Sequence, residues 1–204
     1  MNKLLIWGKG GHSDVVVETA IRLGMAITLI DDNSNEFLDN SWINKYPPNK
    51  YLAFVAIGNN YYRSNKFNIL EELGYQFPNI ISPRAYIASG ISLAIGIFIA
   101  PMAVIMTKTD IGKGTIINTG ATVDHGCVIS PFVHLAPGCH LCGNVTVANH
   151  TLVGVGTSII PNVIISHDIV IAGGSSVCSN LWKDRSLYAG NPAVFKREIH
   201  EPTR

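Results

Sequence analysis

Residues 111–138 read IGKGTIINTGATVDHGCVISPFVHLAPG, with an aliphatic residue at every sixth position. The same column continues in both directions without a polar residue, from Ile81 to Val177. Neither the period of an α-helix (3.6 residues) nor that of a single strand (two residues) produces a repeat of six. A fixed repeat dictates the whole architecture. The period therefore predicts a chain that turns a corner every six residues.

Residues suited to tight corners stand three positions after the aliphatic column. Examples are Gly114, Gly126, Asn144 and Asp168, all of residue types that tolerate a positive φ. Three such hexads would close one coil, and coils would stack at the sheet spacing of roughly 4.8 Å. The sequence thus predicts an all-β parallel β-helix over residues 81–180, of about five coils.

The first eighty residues follow a different pattern, in which short apolar runs alternate with helical ones. A strand over residues 3–7 leads into a Gly-rich turn, and strands over 25–30 and 51–57 end in polar loops. This alternation predicts a Rossmann-like α/β domain over residues 1–80. Residues 181–204 would then form a C-terminal tail.

Composition limits the class of function. The chain has 15 Lys+Arg against 14 Asp+Glu, so its net charge of +1 argues against a nucleic-acid or membrane-surface role driven by bulk charge. Apolar residues reach 47% and charged residues only 14%, which predicts that part of the surface is buried in an oligomer. The apolar start ends at Gly8, too early for a signal peptide or a membrane span. We therefore expect a cytoplasmic protein.

Three polar loops follow the carboxyl ends of the predicted parallel strands, where open α/β sheets bind ligands. They contain Gly8 and Gly10, then Asp31 and Asp32, and finally residues 58–60. The Gly-rich turn can offer backbone N–H groups to phosphate oxygens, although a serine replaces the third glycine of the dinucleotide fingerprint. Together the loops predict a nucleotide or sugar site at one edge of the sheet.

The aliphatic column resembles the left-handed β-helix of the hexapeptide-repeat acyltransferases. The resemblance implies the left hand of the helix, since the period alone does not determine it. In that family the prism forms a trimer and acyl-CoA lies in the groove between neighbouring subunits. A homotrimer with acetyl-CoA as co-substrate is therefore implied.

Polar side chains interrupt the repeat within two neighbouring coils, at Asn118, Asp124, His125 and His134. An amine that attacks a thioester must lose a proton, and imidazole is a suitable general base near neutral pH. Asp124 could orient the ring of His125, and a backbone N–H near Gly143 could stabilise the developing oxyanion. A surface histidine without a catalytic role remains the alternative.

A narrower resemblance, to the PglD/NeuD sugar acetyltransferases, spans nearly the whole chain. The motifs that carry it are Gly8-Lys9-Gly10-Gly11-His12, Asp31-Asp32, Ile57-Gly58-Asn59-Asn60, Asn118-Thr119, Asp124-His125, His134, Cys142-Gly143-Asn144 and Gly190-Asn191-Pro192-Ala193. The resemblance implies N-acetylation of a nucleotide-linked 4-amino-4,6-dideoxy sugar in the biosynthesis of a surface glycan such as O-antigen. The chain departs from this pattern at Gly126, where a second acidic residue is expected.

The same resemblance implies roles for individual residues. His125 would be the general base, supported by Asp124 and Asn118. The acetyl-CoA site would comprise His134, Cys142, Gly143, Gly154, Gly173, Ala189 and Pro192. The nucleotide-sugar site would comprise Gly8, Gly10, His12, Asp31, Asp32 and Asn59. No metal is expected.

Two alternatives remain open. A sugar O-acetyltransferase of the NeuD type would use the same base on a hydroxyl acceptor. A non-catalytic or zinc-binding β-helix protein would use its first domain only to sense a nucleotide sugar, but the histidines do not reproduce the zinc spacing of the γ-class carbonic anhydrases. The nucleotide (UDP, dTDP or GDP) and the stereochemistry of the sugar depend on loop geometry that no spacing rule predicts.

Overall fold

The computed structural model describes residues 3–32 and 41–199. The first domain is a three-stranded parallel sheet of order β2-β1-β3, flanked by helices. Its elements are β1 (Lys3–Trp7), α1 (Gly11–Arg22), β2 (Ala26–Ile30), α2 (Ser41–Lys45), β3 (Leu52–Val55) and α3 (Asn60–Glu72). The predicted parallel α/β domain is confirmed. None of the helices in the described residues combines the length and apolar composition that crossing a membrane requires.

The second domain is a left-handed parallel β-helix of about six turns, one more than the sequence predicted. Each strand pairs in parallel with the strand one coil later, as Ile116 does with His134. The strands are β4 (Ile80–Ile81), β5 (Tyr86–Ile87), β6 (Ser92–Leu93), β7 (Phe98–Ile99), β8 (Val104–Ile105), β9 (Asp110–Ile111), β10 (Ile116–Ile117), β11 (Thr122–Val123), β12 (Val128–Ile129), β13 (His134–Leu135), β14 (His140–Leu141), β15 (Thr146–Val147), β16 (Leu152–Val153), β17 (Ser158–Ile159), β18 (Ile164–Ile165), β19 (Val170–Ile171) and β20 (Ser176–Val177).

Three sheets form the faces of this prism. The first face contains β4, β7, β10, β13, β16 and β19, the second contains β5, β8, β11, β14, β17 and β20, and the third contains β6, β9, β12, β15 and β18. We call the turns that follow the first, second and third faces corners 1, 2 and 3. In one coil these corners are residues 118–121, 124–127 and 130–133.

The aliphatic column forms the core of the prism. Ile117 and Val123 are fully buried, and Ile129 is 1% exposed. Burying one such side chain is worth about 1.5–3 kcal/mol relative to leaving it exposed. Inward threonines complete the core without unsatisfied hydroxyls; Thr115 Oγ1, for instance, donates to the Ser130 carbonyl oxygen at 3.2 Å. The period of six is therefore the period of core burial.

The first domain packs on the first face of the prism. Ile80, Phe98 and Ile116 point outward from this face, yet they are buried against strands β1 and β3 and helix α1. One coil further along, the outward residue is His134, which pairs with Ile116 in the same sheet. The row of buried apolar side chains on the outside of the first face therefore ends at a histidine.

The C-terminal tail closes the far end of the prism. Strand β21 (Ser186–Ala189) extends the first face by parallel pairing with β19, and β22 (Val194–Glu198) pairs antiparallel with β21. Leu181 forms a bridge to Ile165 on the third face. The tail thus continues the β-structure over its described part.

Candidate active site

The predicted catalytic residues Asn118, Asp124 and His125 lie at two different corners of the prism, and His134, predicted to bind acetyl-CoA, lies near one of them. Asn118 begins corner 1 after β10, and His134 is the outward residue of β13 on the first face. Asp124 and His125 begin corner 2 after β11, at the other edge of the second face. The sequence grouped these residues because they fall within two coils. Within one chain, the structure joins Asn118 to His134 and places His125 elsewhere.

Hydrogen bonds on both sides determine the tautomer of His134. Its Nδ1 lies 3.2 Å from the Gly58 carbonyl oxygen, which can only accept, so Nδ1 carries the proton. Its Nε2 lies 3.1 Å from Asn118 Nδ2. The amide orientation of Asn118 follows from its Oδ1, which accepts from the Thr119 backbone N–H at 2.8 Å. His134 is therefore the neutral Nδ1–H tautomer, and Nε2 accepts from Asn118.

Two neutral imidazoles border the junction of the domains. Burial, the Arg63 guanidinium and His12 lower the pKa of His134 to about 3, against a smaller opposite effect of its bond to Gly58. Burial and Arg63 lower the pKa of His12 to about 4. The rings of His12 and His134 lie 6.2 Å apart, and His12 also packs edge-on against Phe98. Both side chains are uncharged throughout the physiological pH range.

These lowered pKa values predict that acid destabilises the protein. A free histidine has a pKa near 6.5, so below that pH the unfolded chain binds protons that folded His12 and His134 exclude. Stability is therefore complete above pH 6.5 and is lost progressively as the pH falls toward 4. When the pH falls from about 7 to 5.5, each histidine should lower the free energy of unfolding by roughly 1 kcal/mol.

Urea unfolding at the two pH values measures this effect. The loss should become smaller in His12→Gln and His134→Gln, while His167→Gln, at an exposed histidine of the prism, should keep the wild-type loss. A wild-type free energy of unfolding that does not change over this pH range would contradict the prediction.

Corner 2 holds His125 against a glycine. The Asp124 carboxylate accepts a hydrogen bond from the His125 backbone N–H at 2.7 Å, so it shapes the turn. One coil above, a Cβ added at Gly143 would lie 2.6 Å from the imidazole Cε1 of His125. Only a glycine at this position leaves the ring where it is. Cys142, the preceding residue, is exposed on the same corner.

The packing at corner 2 explains why a glycine, Gly126, follows His125. Gly126 has a φ of +71°, and a side chain there would collide with Oδ1 of Asn144, which lies one coil above. The Asn144 amide in turn donates to Asn162 Oδ1 at 3.3 Å. An amide therefore occupies the space above Gly126, and Asp124 is the carboxylate of this turn.

Small residues stand above Asn118 at the first position of corner 1, namely Ala136, Gly154, Ala172 and Ala189. A Cβ at Gly154 would collide with backbone atoms of Ile171 and Gly173, and one at Gly173 would lie 2.8 Å from Val155 Cγ1. The column continues upward to Ala189, the last residue of β21. Of the residues predicted to bind acetyl-CoA, those at Gly154, Gly173 and Ala189 thus lie along one edge of the prism. Small residues therefore follow one another along this edge, parallel to the prism axis.

The Gly-rich turn of the first domain contains one glycine that close packing requires and one that borders open space. Gly8 donates its N–H to the Ile30 carbonyl oxygen at 2.9 Å, and a Cβ on it would lie 2.7 Å from the Ala56 carbonyl oxygen. Close packing therefore requires Gly8. A Cβ on Gly10 would meet nothing within 4 Å, so open space borders the N-terminus of α1. This space lies beside His12, in the first turn of the helix.

The second polar loop borders a cavity of about 330 Å³. Asp32 follows β2 and accepts from Lys66 Nζ at 2.6 Å, and the same ammonium lies 4.6 Å from the centroid of the Trp7 ring. Trp42 also lines the cavity. In the third loop, Asn59 caps helix α3, because its side chain accepts from the Tyr62 backbone N–H at 3.0 Å. A contact between Asn59 and a nucleotide stays a prediction.

Sequence reasoning missed Arg63 and the carbonyl group of Gly58. Arg63 lies in a polar run of α3 and has no sequence signal that separates it from a surface arginine. Helix α3 and corner 3 come into contact only in the folded chain. Among residues 3–32 and 41–199, no cluster of three or more potential ligands forms a metal site.

Known proteins similar to this chain share both of its domains. The family model described as the PglD N-terminal domain matches residues 3–70. The acetyltransferase domain of PglB from Neisseria gonorrhoeae FA1090, solved with acetyl coenzyme A, has a TM-score of 0.90 and 30% identity over 96% of this chain and 100% of that chain. PerB from Caulobacter crescentus, solved with CoA and GDP-perosamine, has a TM-score of 0.90 and 30% identity over 97% and 98%. WeeI from Acinetobacter baumannii AYE, at 22% identity and a TM-score of 0.87 over 96% and 100%, shows the fold alone.

Proposed function

Because the chain belongs to the PglD-like sugar acetyltransferases of the hexapeptide-repeat superfamily, we propose that it acetylates the amino group of a nucleotide-linked 4-amino-4,6-dideoxy sugar. The observation that carries the proposal is the chain of contacts from Gly58 through His134 to Asn118. These contacts connect the polar loops of the first domain, which suit a nucleotide sugar, to corner 1 of the prism, which suits CoA. PerB, crystallised with CoA and GDP-perosamine, supports this acceptor class.

In the proposed reaction, the amino nitrogen of the sugar attacks the thioester carbonyl carbon of acetyl-CoA. The C–N bond forms, the C–S bond breaks, and CoA leaves as its thiolate or thiol. His125 takes the proton that the amine loses, since its exposed imidazole has a ring nitrogen that can serve as a general base. The N–H of Asn118 that does not contact His134, together with the backbone N–H of Gly143, would face the developing oxyanion.

The separation of the two corners supports a homotrimer. His125 at corner 2 and Asn118 at corner 1 lie at opposite edges of the second face, so one chain does not bring them to one substrate. We propose that three copies turn their second faces toward a common axis, and that corner 2 of one protomer then meets corner 1 of its neighbour. A cytoplasmic location, where acetyl-CoA is available, completes the proposal.

The test is CoA-thiol release from acetyl-CoA with GDP-, UDP- and dTDP-linked 4-amino-4,6-dideoxy sugars, GDP-perosamine among them. Turnover on one member identifies the acceptor and its nucleotide. No turnover on these amino sugars, with turnover on the matching sugars that carry a hydroxyl in place of the amine, would establish the O-acetyltransferase alternative. A protein that does not bind acetyl-CoA would overturn the acetyltransferase proposal altogether.

We expect Asp32→Ala to weaken nucleotide-sugar binding about tenfold or more, since one charge-assisted hydrogen bond is worth roughly 1.5–3 kcal/mol. Acetyl-CoA binding should not change, because Asp32 lies in the first domain at the end of β2. Titration calorimetry with each ligand measures both constants. Glu71→Ala is the matched control, because Glu71 also pairs with a lysine, Lys113, at 2.8 Å. Equal weakening of both ligands would refute two separate sites.

A further inference from the structure

Arg63 places a full positive charge inside the junction of the two domains. The residue belongs to helix α3 and is 1% exposed. Burial lowers the pKa of its guanidinium to about 9, so it remains protonated at neutral pH. A buried charge is costly unless its hydrogen bonds are satisfied. The surroundings of Arg63 must therefore supply acceptors in a fixed geometry.

Six neutral oxygens, from both domains, surround the guanidinium. Those of the prism are the carbonyl oxygens of Gly114 (2.6 Å from Nε), Phe132 (2.9 Å) and Val133 (3.3 Å). Those of the first domain are the carbonyl oxygens of Ile57 (3.0 Å) and Gly58 (3.1 Å) and the side-chain Oδ1 of Asn60 (2.8 Å). The planar fork of an arginine suits such a cage, and the single ammonium of a lysine does not.

The Gly58 carbonyl oxygen links this cage to the candidate active site. It accepts from Arg63 at 3.1 Å and also from Nδ1 of His134 at 3.2 Å. A carbonyl oxygen has two lone pairs, so both bonds form together. Arg63 therefore holds the acceptor that determines which nitrogen of His134 carries the proton. The same charge opposes protonation of the ring.

Other contacts already hold the domains together. Asn60 Nδ2 donates to the His150 carbonyl oxygen at 2.8 Å, and the Tyr61 ring stacks on the His150 ring at 4.9 Å. Lys113 pairs with Glu71 across the same junction at 2.8 Å. Well-packed apolar side chains are often as stabilising as a buried charge. Holding the two domains together does not by itself explain why a charged side chain contacts the carbonyl oxygen to which His134 donates.

We propose that Arg63 is a positioning residue that acts through the Gly58 carbonyl group, which fixes His134 as the Nδ1–H tautomer and orients the Asn118 amide at corner 1. The tautomer of His134 can be measured in the folded chain without any substrate. Its consequence for acetyl transfer rests on the proposed function, so the two parts are tested by separate measurements.

The first measurement is nitrogen NMR of protein labelled at histidine, without any substrate. His134→Gln assigns the His134 resonances. In the wild type we expect a protonated Nδ1, an unprotonated Nε2 and no titration of this ring above pH 5. In Arg63→Met we expect both nitrogens to move toward averaged tautomer values and the pKa of His134 to rise, while burial still holds it below its ordinary value.

Lys113→Met is the matched control, since it also removes a cation from the domain junction but does not contact Gly58. Its His134 resonances should equal those of the wild type. Arg63→Lys keeps the charge and loses the fork; the pKa of His134 should stay low while the tautomers mix. A wild-type His134 with its proton on Nε2 overturns the proposal without any variant, and so does a folded Arg63→Met with unchanged His134 resonances.

Steady-state kinetics tests the catalytic consequence. We expect kcat to fall about tenfold in Arg63→Met relative to Lys113→Met, with both KM values within about twofold, because misplaced groups affect the transition state more than binding. Equal kcat values in the two variants would overturn the catalytic part of the proposal. A wild type without turnover on any acceptor would refute the proposed function and leave the NMR result to decide the role of Arg63.

Discussion

His125→Ala should lower the turnover number roughly a hundredfold or more, the usual contribution of a general base. The side chain is exposed at corner 2, so its removal costs little stability. The proposed role of His125 is proton transfer and not binding, so the Kd for acetyl-CoA should stay near the wild-type value. CoA-thiol release and calorimetry with acetyl-CoA measure the two quantities.

Two further variants sharpen this test. His167→Ala removes an exposed histidine at corner 3 and should keep wild-type turnover. Gly143→Ala should lose turnover with its fold intact, because the new Cβ would push the imidazole of His125 out of place. Near-normal turnover in His125→Ala would exclude it as the base. Normal turnover in Gly143→Ala alone would show that the position of the ring in the folded chain is not the reactive one.

Ile129→Asp should abolish folding of the prism. Ile129 is 1% exposed and packs inside the β-helix, where the structure offers a carboxylate only apolar neighbours such as Val147 and Ile111. An unpaired buried charge costs several kcal/mol, which is comparable to the whole stability of a typical domain. We expect aggregation on expression and, in any soluble fraction, loss of the cooperative thermal transition in circular dichroism.

Val128→Asp is the matched control, since Val128 precedes Ile129 in strand β12 and is 42% exposed. One coil earlier, Asp110 already occupies the equivalent outward position, so a carboxylate is compatible with this face. Repulsion between the two carboxylates should cost at most about 1 kcal/mol. A soluble Ile129→Asp protein with a wild-type melting temperature would refute the inward register of the strand.

The fold was predictable because its dominant signal is local. In a β-helix each corner recurs after six residues, so burial leaves a periodic trace in the chain, as at Ile117, Val123 and Ile129. The corner column is equally local, and Gly126 and Asn144 have the positive φ that their residue types suggest. The number of coils and the β-structure of the tail were harder to predict, because β21 and β22 pair without following the six-residue repeat.

The sequence suggested residue types for the candidate site but did not reveal their arrangement. Asn118, Asp124 and His125 are close in sequence, and spacing suggested one cluster. A chain that turns a corner every six residues separates them instead, because a step of one hexad moves a side chain to the next corner. His134 reaches Asn118 because it lies on the adjacent coil of the first face.

The sequence by itself determined the six-residue period, the apolar core and the two-domain order, since each follows from contacts between residues near in the chain. Only the tertiary structure decided that Arg63 lies among carbonyl oxygens of both domains and that Gly58 meets His134. These contacts join residues 51 and 76 positions apart, respectively. Backbone carbonyl groups are the same in every residue, so no side-chain pattern marks the ones that a buried cation or imidazole will use.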